Sequence, residues 1–184
     1  MNKKTLAAAG VVAIALGAYL FAGNTEKQKP EHDIAPNIKQ MVHDFSTGNT
    51  TAQSASITSG QLIVTGDDSK EITYNLPEDE FFLSIAPYID KTHPCAIHSL
   101  TGCQGEMTDE EFSVAIEDSE GNSVMDKTTM KSQDNGFIDL WLPRDKTYHI
   151  TVEHDGKTAE SAISTFENDD TCIATMQLKD KQSL

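Results

Sequence analysis

The stretch FIDLWLPRDKTYHITVEHDGKTAESAIST, from Phe137 to Thr165, carries most of what the chain says about its architecture. Three β-prone runs lie in it: Phe137 to Leu142, Tyr148 to Glu153 and Thr158 to Thr165. His154-Asp155-Gly156 separates the last two and is a hairpin signal, since Asp-Gly takes up the positive φ angles of a tight turn. Similar runs flank the stretch. Phe112 to Glu117 leads through Asp118-Ser119-Glu120-Gly121-Asn122 into a run near Val124, Asp134-Asn135-Gly136 precedes Phe137, and Cys172 to Leu178 is the last run. Short strands with Gly, Asn and Asp turns every ~8–12 residues predict an antiparallel β-sandwich.

Upstream, Gln61 to Thr65 and Glu71 to Leu76 flank Gly66-Asp67-Asp68-Ser69-Lys70, a second hairpin. Phe81 to Ile85 is expected to continue that sheet, with Pro87 closing it. Before the hairpin the period changes. Ile34, Ile38, Met41, Val42 and Phe45 recur at helical spacing, and Pro36 suits a first helical turn. His43 lies off that face and is expected in solvent, while Ser46 to Ser56, rich in Ser, Thr, Gly and Asn, breaks the pattern. The fold expected is mainly β with a short N-terminal α-helical segment. A small N-terminal α/β part (24–90) precedes an antiparallel β-sandwich (91–184).

Residues 1–23 fit a secretory signal peptide: Lys3 and Lys4, an uncharged run from Leu6 to Ala22, and small residues at Ala22-Gly23. That run is at the short edge of what spans a bilayer, so an uncleaved anchor is the alternative. No cysteine follows it, which argues against a lipid-modified N-terminus. Both readings put the remaining chain outside the cytoplasm, and cleavage makes it a periplasmic protein without membrane contact. Beyond Gly23, 12 basic residues stand against 29 acidic ones. Such a surface repels nucleic acid and anionic headgroups, and its plainest use is solubility.

The chemistry concentrates in Thr92-His93-Pro94-Cys95-Ala96-Ile97-His98-Ser99-Leu100-Thr101-Gly102-Cys103-Gln104-Gly105-Glu106-Met107. This segment has neither period and reads as a loop. Two of the three cysteines lie in it with His93 and His98. Thiolate and imidazole suit soft and borderline metals, Cu(I) above all. Pro94 stiffens entry to Cys95, and Gly102 permits a tight turn beside Cys103. On a strand, Cys172 and Met176 share a face, so Cys172 is placed to meet the loop. Three thiolates favour Cu(I) over Zn(II), although His93 or His98 as a fourth ligand keeps zinc admissible. The plain alternatives are a Cys95–Cys103 disulfide with Cys172 a buried thiol, and Met107 and Met176 as core fillers. No Gly-x-Ser-x-Gly elbow is present, and His149 and His154 lack an evident nucleophile partner, so hydrolysis is unsupported. The one reaction these residues admit is stoichiometric reduction of Cu(II) by paired thiols, which does not make the chain a dedicated enzyme.

The run from Thr92 to Glu106 resembles the signature of the CueP family of periplasmic copper-binding proteins. Three other stretches resemble the same family: Phe82 to Tyr88, Asn135 to Arg144 and Thr171 to Leu178. The likeness implies a copper-resistance protein of the bacterial envelope in which Cys95, Cys103 and Cys172 are copper ligands and the adjoining histidines take part. It also implies supply of copper to a periplasmic copper,zinc superoxide dismutase, a disulfide reductase that keeps the thiols reduced, and a homodimer formed through the N-terminal part.

Overall fold

The Asp155-Gly156 turn forms as its sequence asks. Both residues have positive φ, 46° and 77°, and His154 pairs with Lys157 across them, a two-residue turn whose twist matches its strands. The computed structural model describes residues 37–180. The expected export segment, together with Ile34 and Pro36, lies outside these residues. Among the described residues one helix, α1 (Ile38–Ser46), is followed by β1 (Ser54–Ile57), β2 (Gln61–Thr65), β3 (Glu71–Asn75), β4 (Glu80–Ile85) and β5 (His98–Ser99). Then come β6 (Glu111–Asp118), β7 (Ser123–Lys131), β8 (Ile138–Pro143), β9 (Thr147–His154), β10 (Lys157–Ser164), β11 (Cys172–Ile173) and β12 (Lys179–Asp180).

The strands form three sheets, ordered β3-β2-β1-β5, β11-β4-β8 and β12-β10-β9-β6-β7. All pairs are antiparallel except β11 with β4. Alternation accounts for the main core. Phe81, Leu83 and Ile85 of β4 and Ile138, Leu140 and Leu142 of β8 pack against Phe112, Val114 and Ile116 of β6 and Tyr148, Ile150 and Val152 of β9. Met107 and Met176 belong to this core.

The middle sheet is covered on its other face as well. Phe82 packs with Ala55, Ile57, Leu62 and Leu100, and with Val42 and Phe45 of α1. The Phe82 and Trp141 rings, opposite each other in register, meet edge-on at 5.3 Å. Asn37 caps α1 by accepting from the Gln40 N–H at 3.2 Å, and His43 is exposed as expected.

Three expectations need correcting. The last run is a strand only over Cys172–Ile173, so Met176 shares no strand face with Cys172. Phe81–Ile85 does not extend the hairpin sheet; it is the central strand between β8 and β11. Burial on both faces makes such a strand a continuous apolar run, which hides its partners from periodicity. The Ser-rich segment also conceals β1, where Ala55 and Ile57 face the core between flanking serines.

Candidate metal centre

The register of the middle sheet sets the floor of the site. Ser84 lies opposite Asp139 on one side and Cys172 on the other, and residues so paired share a face. Thr171 fastens this floor to the sheet above. Its hydroxyl donates to the Ile57 carbonyl at 2.6 Å and accepts from the His98 N–H at 3.0 Å. The Ala96 carbonyl accepts from the N–H groups of Thr171 and Cys172 at 2.9 and 3.2 Å. Cys172 and His98 are therefore held by backbone ladders and are almost fully buried, 2% and 0% exposed.

The loop brings the other residues. Cys103 follows a tight turn in which its N–H and that of Gly102 donate to the Ser99 carbonyl at 3.0 and 3.3 Å. A β-carbon on Gly102 would stand 2.9 Å from Ser99 Oγ, which is why glycine suits that corner. Thr92 Oγ1 donates to the Ala174 carbonyl. The Glu106 carboxylate accepts from the N–H groups of Ile89 at 2.7 Å and Asp90 at 3.0 Å. Phe137, fully buried, lies beneath the imidazoles, with ring centroids 4.5 Å from His98 and 6.4 Å from His93.

All five residues expected at the site are brought together. The ligand atoms of His93, Cys95 and Cys103 lie within 4.8 Å of one another, as do those of His98, Cys103 and Cys172. Cys103 belongs to both groups. The first is half-buried, and the second has its histidine and its other cysteine buried. The cysteines are unbridged, with Cys95 Sγ 3.5 Å from Cys103 Sγ. Met176 and Met107 stand apart in the sandwich core.

The three thiols are unequal. Cys103 is held far below the ordinary thiol range, to about 2, by hydrogen bonding from Cys172 above all. Burial opposes this, while His98, the Ser99 N–H and His93 add to it. Cys95 is pushed up to about 11 by burial first, with the neighbouring Cys103 and Asp170 adding and a Cys172 hydrogen bond opposing. Cys172 is pushed up by its hydrogen bond to Cys103 and by burial. The cluster thus stabilises a thiolate centred on Cys103, the form that binds metal.

The donor set fits a soft metal. His98 Nδ1 is buried and no hydrogen bond of ordinary geometry reaches it, so a metal ion beside the thiols would engage a nitrogen that is otherwise poorly satisfied. Sequence reasoning missed Ser84, Asp139, Thr171 and Phe137 as parts of this site. Ser84 left a trace, a hydroxyl inside the apolar run Phe81-Phe82-Leu83-Ser84-Ile85.

A mainly β fold with a Cys/His cluster able to hold a metal defines a soft-metal-binding protein. The family model for periplasmic copper-binding protein CueP matches residues 37–177. The crystal structure of S.CueP is similar at 36% identity and a TM-score of 0.72, covering 93% of this chain and 99% of that one. Comparison with curated proteins gave no match. The chain belongs to the CueP family of periplasmic copper-binding proteins.

Proposed function

We propose that this protein binds Cu(I) in the periplasm through Cys95, Cys103 and Cys172 with His93 and His98, buffers it and hands it on. Cys103, common to the outer and the inner ligand group, is the observation that carries this reading. A metal held by that thiolate can trade His93 and Cys95 for His98 and Cys172 without being released. Soft ligands reject Mg and Ca by chemistry rather than by shape. Export by residues 1–23, an accepting copper,zinc superoxide dismutase, a disulfide reductase partner and homodimerisation complete the proposal. The test is a Cu(I) competition titration against a chromogenic chelator. Unchanged affinity in a protein carrying Cys95→Ser, Cys103→Ser and Cys172→Ser together would sink it.

A second reading has its own support in the 3.5 Å approach of Cys95 Sγ to Cys103 Sγ. On forming a disulfide the Cys95 thiol and the Cys103 thiolate give up two electrons and one proton, which reduces two Cu(II) to two Cu(I). Thiol counts that stay constant after addition of Cu(II) would refute it.

A further inference from the structure

Ser84 is a fully buried hydroxyl on the central strand, a position that costs desolvation free energy unless its hydrogen bonds are made. They are made on both sides. Ser84 Oγ lies 2.6 Å from Asp139 Oδ1 and 3.3 Å from His98 Nε2. Asp139 Oδ2 accepts from Gln133 Nε2 at 3.1 Å, so both carboxylate oxygens receive a donor.

A serine has one proton to give. The shorter contact is to a carboxylate, which can only accept, so the proton goes to Asp139. Ser84 then turns a lone pair toward His98, and Nε2 must supply the hydrogen of that bond. In the neutral ring this leaves the lone pair on Nδ1, which no hydrogen bond of ordinary geometry engages; the Cys103 thiolate, which His98 helps to stabilise, is the neighbour that favours the opposite tautomer.

We propose that Asp139 and Ser84 are positioning residues that fix His98 as its Nε2-protonated tautomer and make Nδ1 its metal-ligating nitrogen. The proposal rests on the copper reading above. Its logic is that of metal-binding histidines whose second ring nitrogen donates to a carboxylate, with a serine hydroxyl interposed. The sheet register makes the arrangement economical, because Ser84 has Asp139 as one strand partner and Cys172 as the other. One β-strand position thereby serves both the histidine and the floor that carries the buried thiol.

The test uses reduced full-length protein with 15N-labelled imidazoles, long-range 1H–15N spectra to read each tautomer, and Cu(I) competition titrations. The parent protein should show His98 protonated at Nε2, and Cu(I) should move the Nδ1 resonance most. Asp139→Leu frees the Ser84 proton to donate to Nε2, so His98 should shift toward the Nδ1–H form. Cu(I) affinity should then fall about 10–100-fold, with no loss of thiols. Ser84→Ala removes one hydroxyl and carries the test should Asp139→Leu fail to fold; it should erase the tautomer preference. An Nδ1–H tautomer in the parent, or a Ser84→Ala protein with parental tautomer and affinity, overturns the proposal. Cu(I) bound at the thiols with His98 Nδ1 unmoved overturns it too, but leaves the copper centre standing. Cu(I) that binds nowhere overturns both.

Discussion

Replacing Gly105 with alanine tests how the Cys/His loop is held against the sandwich. Gly105 and Gly136 cross backbone to backbone. A β-carbon on Gly105 would sit 2.6 Å from the Gly136 carbonyl oxygen, 3.0 Å from its carbon and 3.2 Å from its Cα. No rotamer relieves a clash with main chain. To reach ordinary contact near 3.4 Å, the two segments must part by about 0.8 Å. The Gly105 N–H donates to the Asn135 carbonyl at 2.7 Å at the same crossing, and that separation stretches the bond out of range. The lost hydrogen bond costs about 1 kcal/mol and overpacking about 1–3 kcal/mol. At roughly 2–4 °C per kcal/mol for a domain near this size, the melting temperature should fall by about 4–16 °C. Cys103 lies two residues before the crossing and Phe137 one residue after it, so Cu(I) affinity should fall as well. Gly121→Ala is the control: its φ of 83° brings strain, but nothing lies within 4 Å of the added carbon. It should cost about 1–2 kcal/mol and leave metal binding alone. Calorimetry and chelator competition on both variants give the answer. A Gly105→Ala protein melting within about 1 °C of the parent, with parental Cu(I) affinity, would refute the reasoning.

Thiol reactivity should follow the charge distribution. With Cys103 held to about 2 and Cys95 pushed up to about 11, Cys103 is the thiolate and Cys95 the neutral thiol at about pH 6. Limited alkylation of the metal-free protein there, mapped by mass spectrometry, should label Cys103 first; Cys95 labelled first would contradict the assignment. Thr171→Val should leave the His98 N–H and the Ile57 carbonyl without their partner, at about 1–3 kcal/mol for each buried group. Denaturant titration checks this, and a midpoint unchanged from the parent would count against it. Phe137→Ala should cost about 3–5 kcal/mol, part of it regained when Cu(I) is added. A loss that copper does not reduce would separate Phe137 from the site.

Strands legible in the sequence are those with one wet face. β6, β8 and β9 alternate buried with less buried positions, so period two reveals both the element and its orientation. β4 is buried throughout apart from its first residue, and a run without alternation carries no information about its neighbours. Its pairing with β8 and β11 comes from chain topology, which local pattern does not encode. The site follows the same division. Cysteine and histidine announce themselves by chemistry, so the loop stands out as a candidate site, while the resemblance to the CueP family supplies the full set of five and joins Cys172 to it from far along the chain. What holds them are a serine, a threonine, an aspartate and a phenylalanine, residue types common in every sheet.

Those residues acquire meaning through register alone. Ser84 matters because Asp139 and Cys172 stand beside it, and a slip of one residue in β4 would turn it to the other face. The apolar residues Phe81, Leu83 and Ile85 forbid that slip, since it would take them out of the sandwich core. Packing on one face of β4 thus fixes the polar chemistry on the other. A substitution that loosens the core beneath β4 should therefore reach His98 without touching any side chain of the Cys/His cluster.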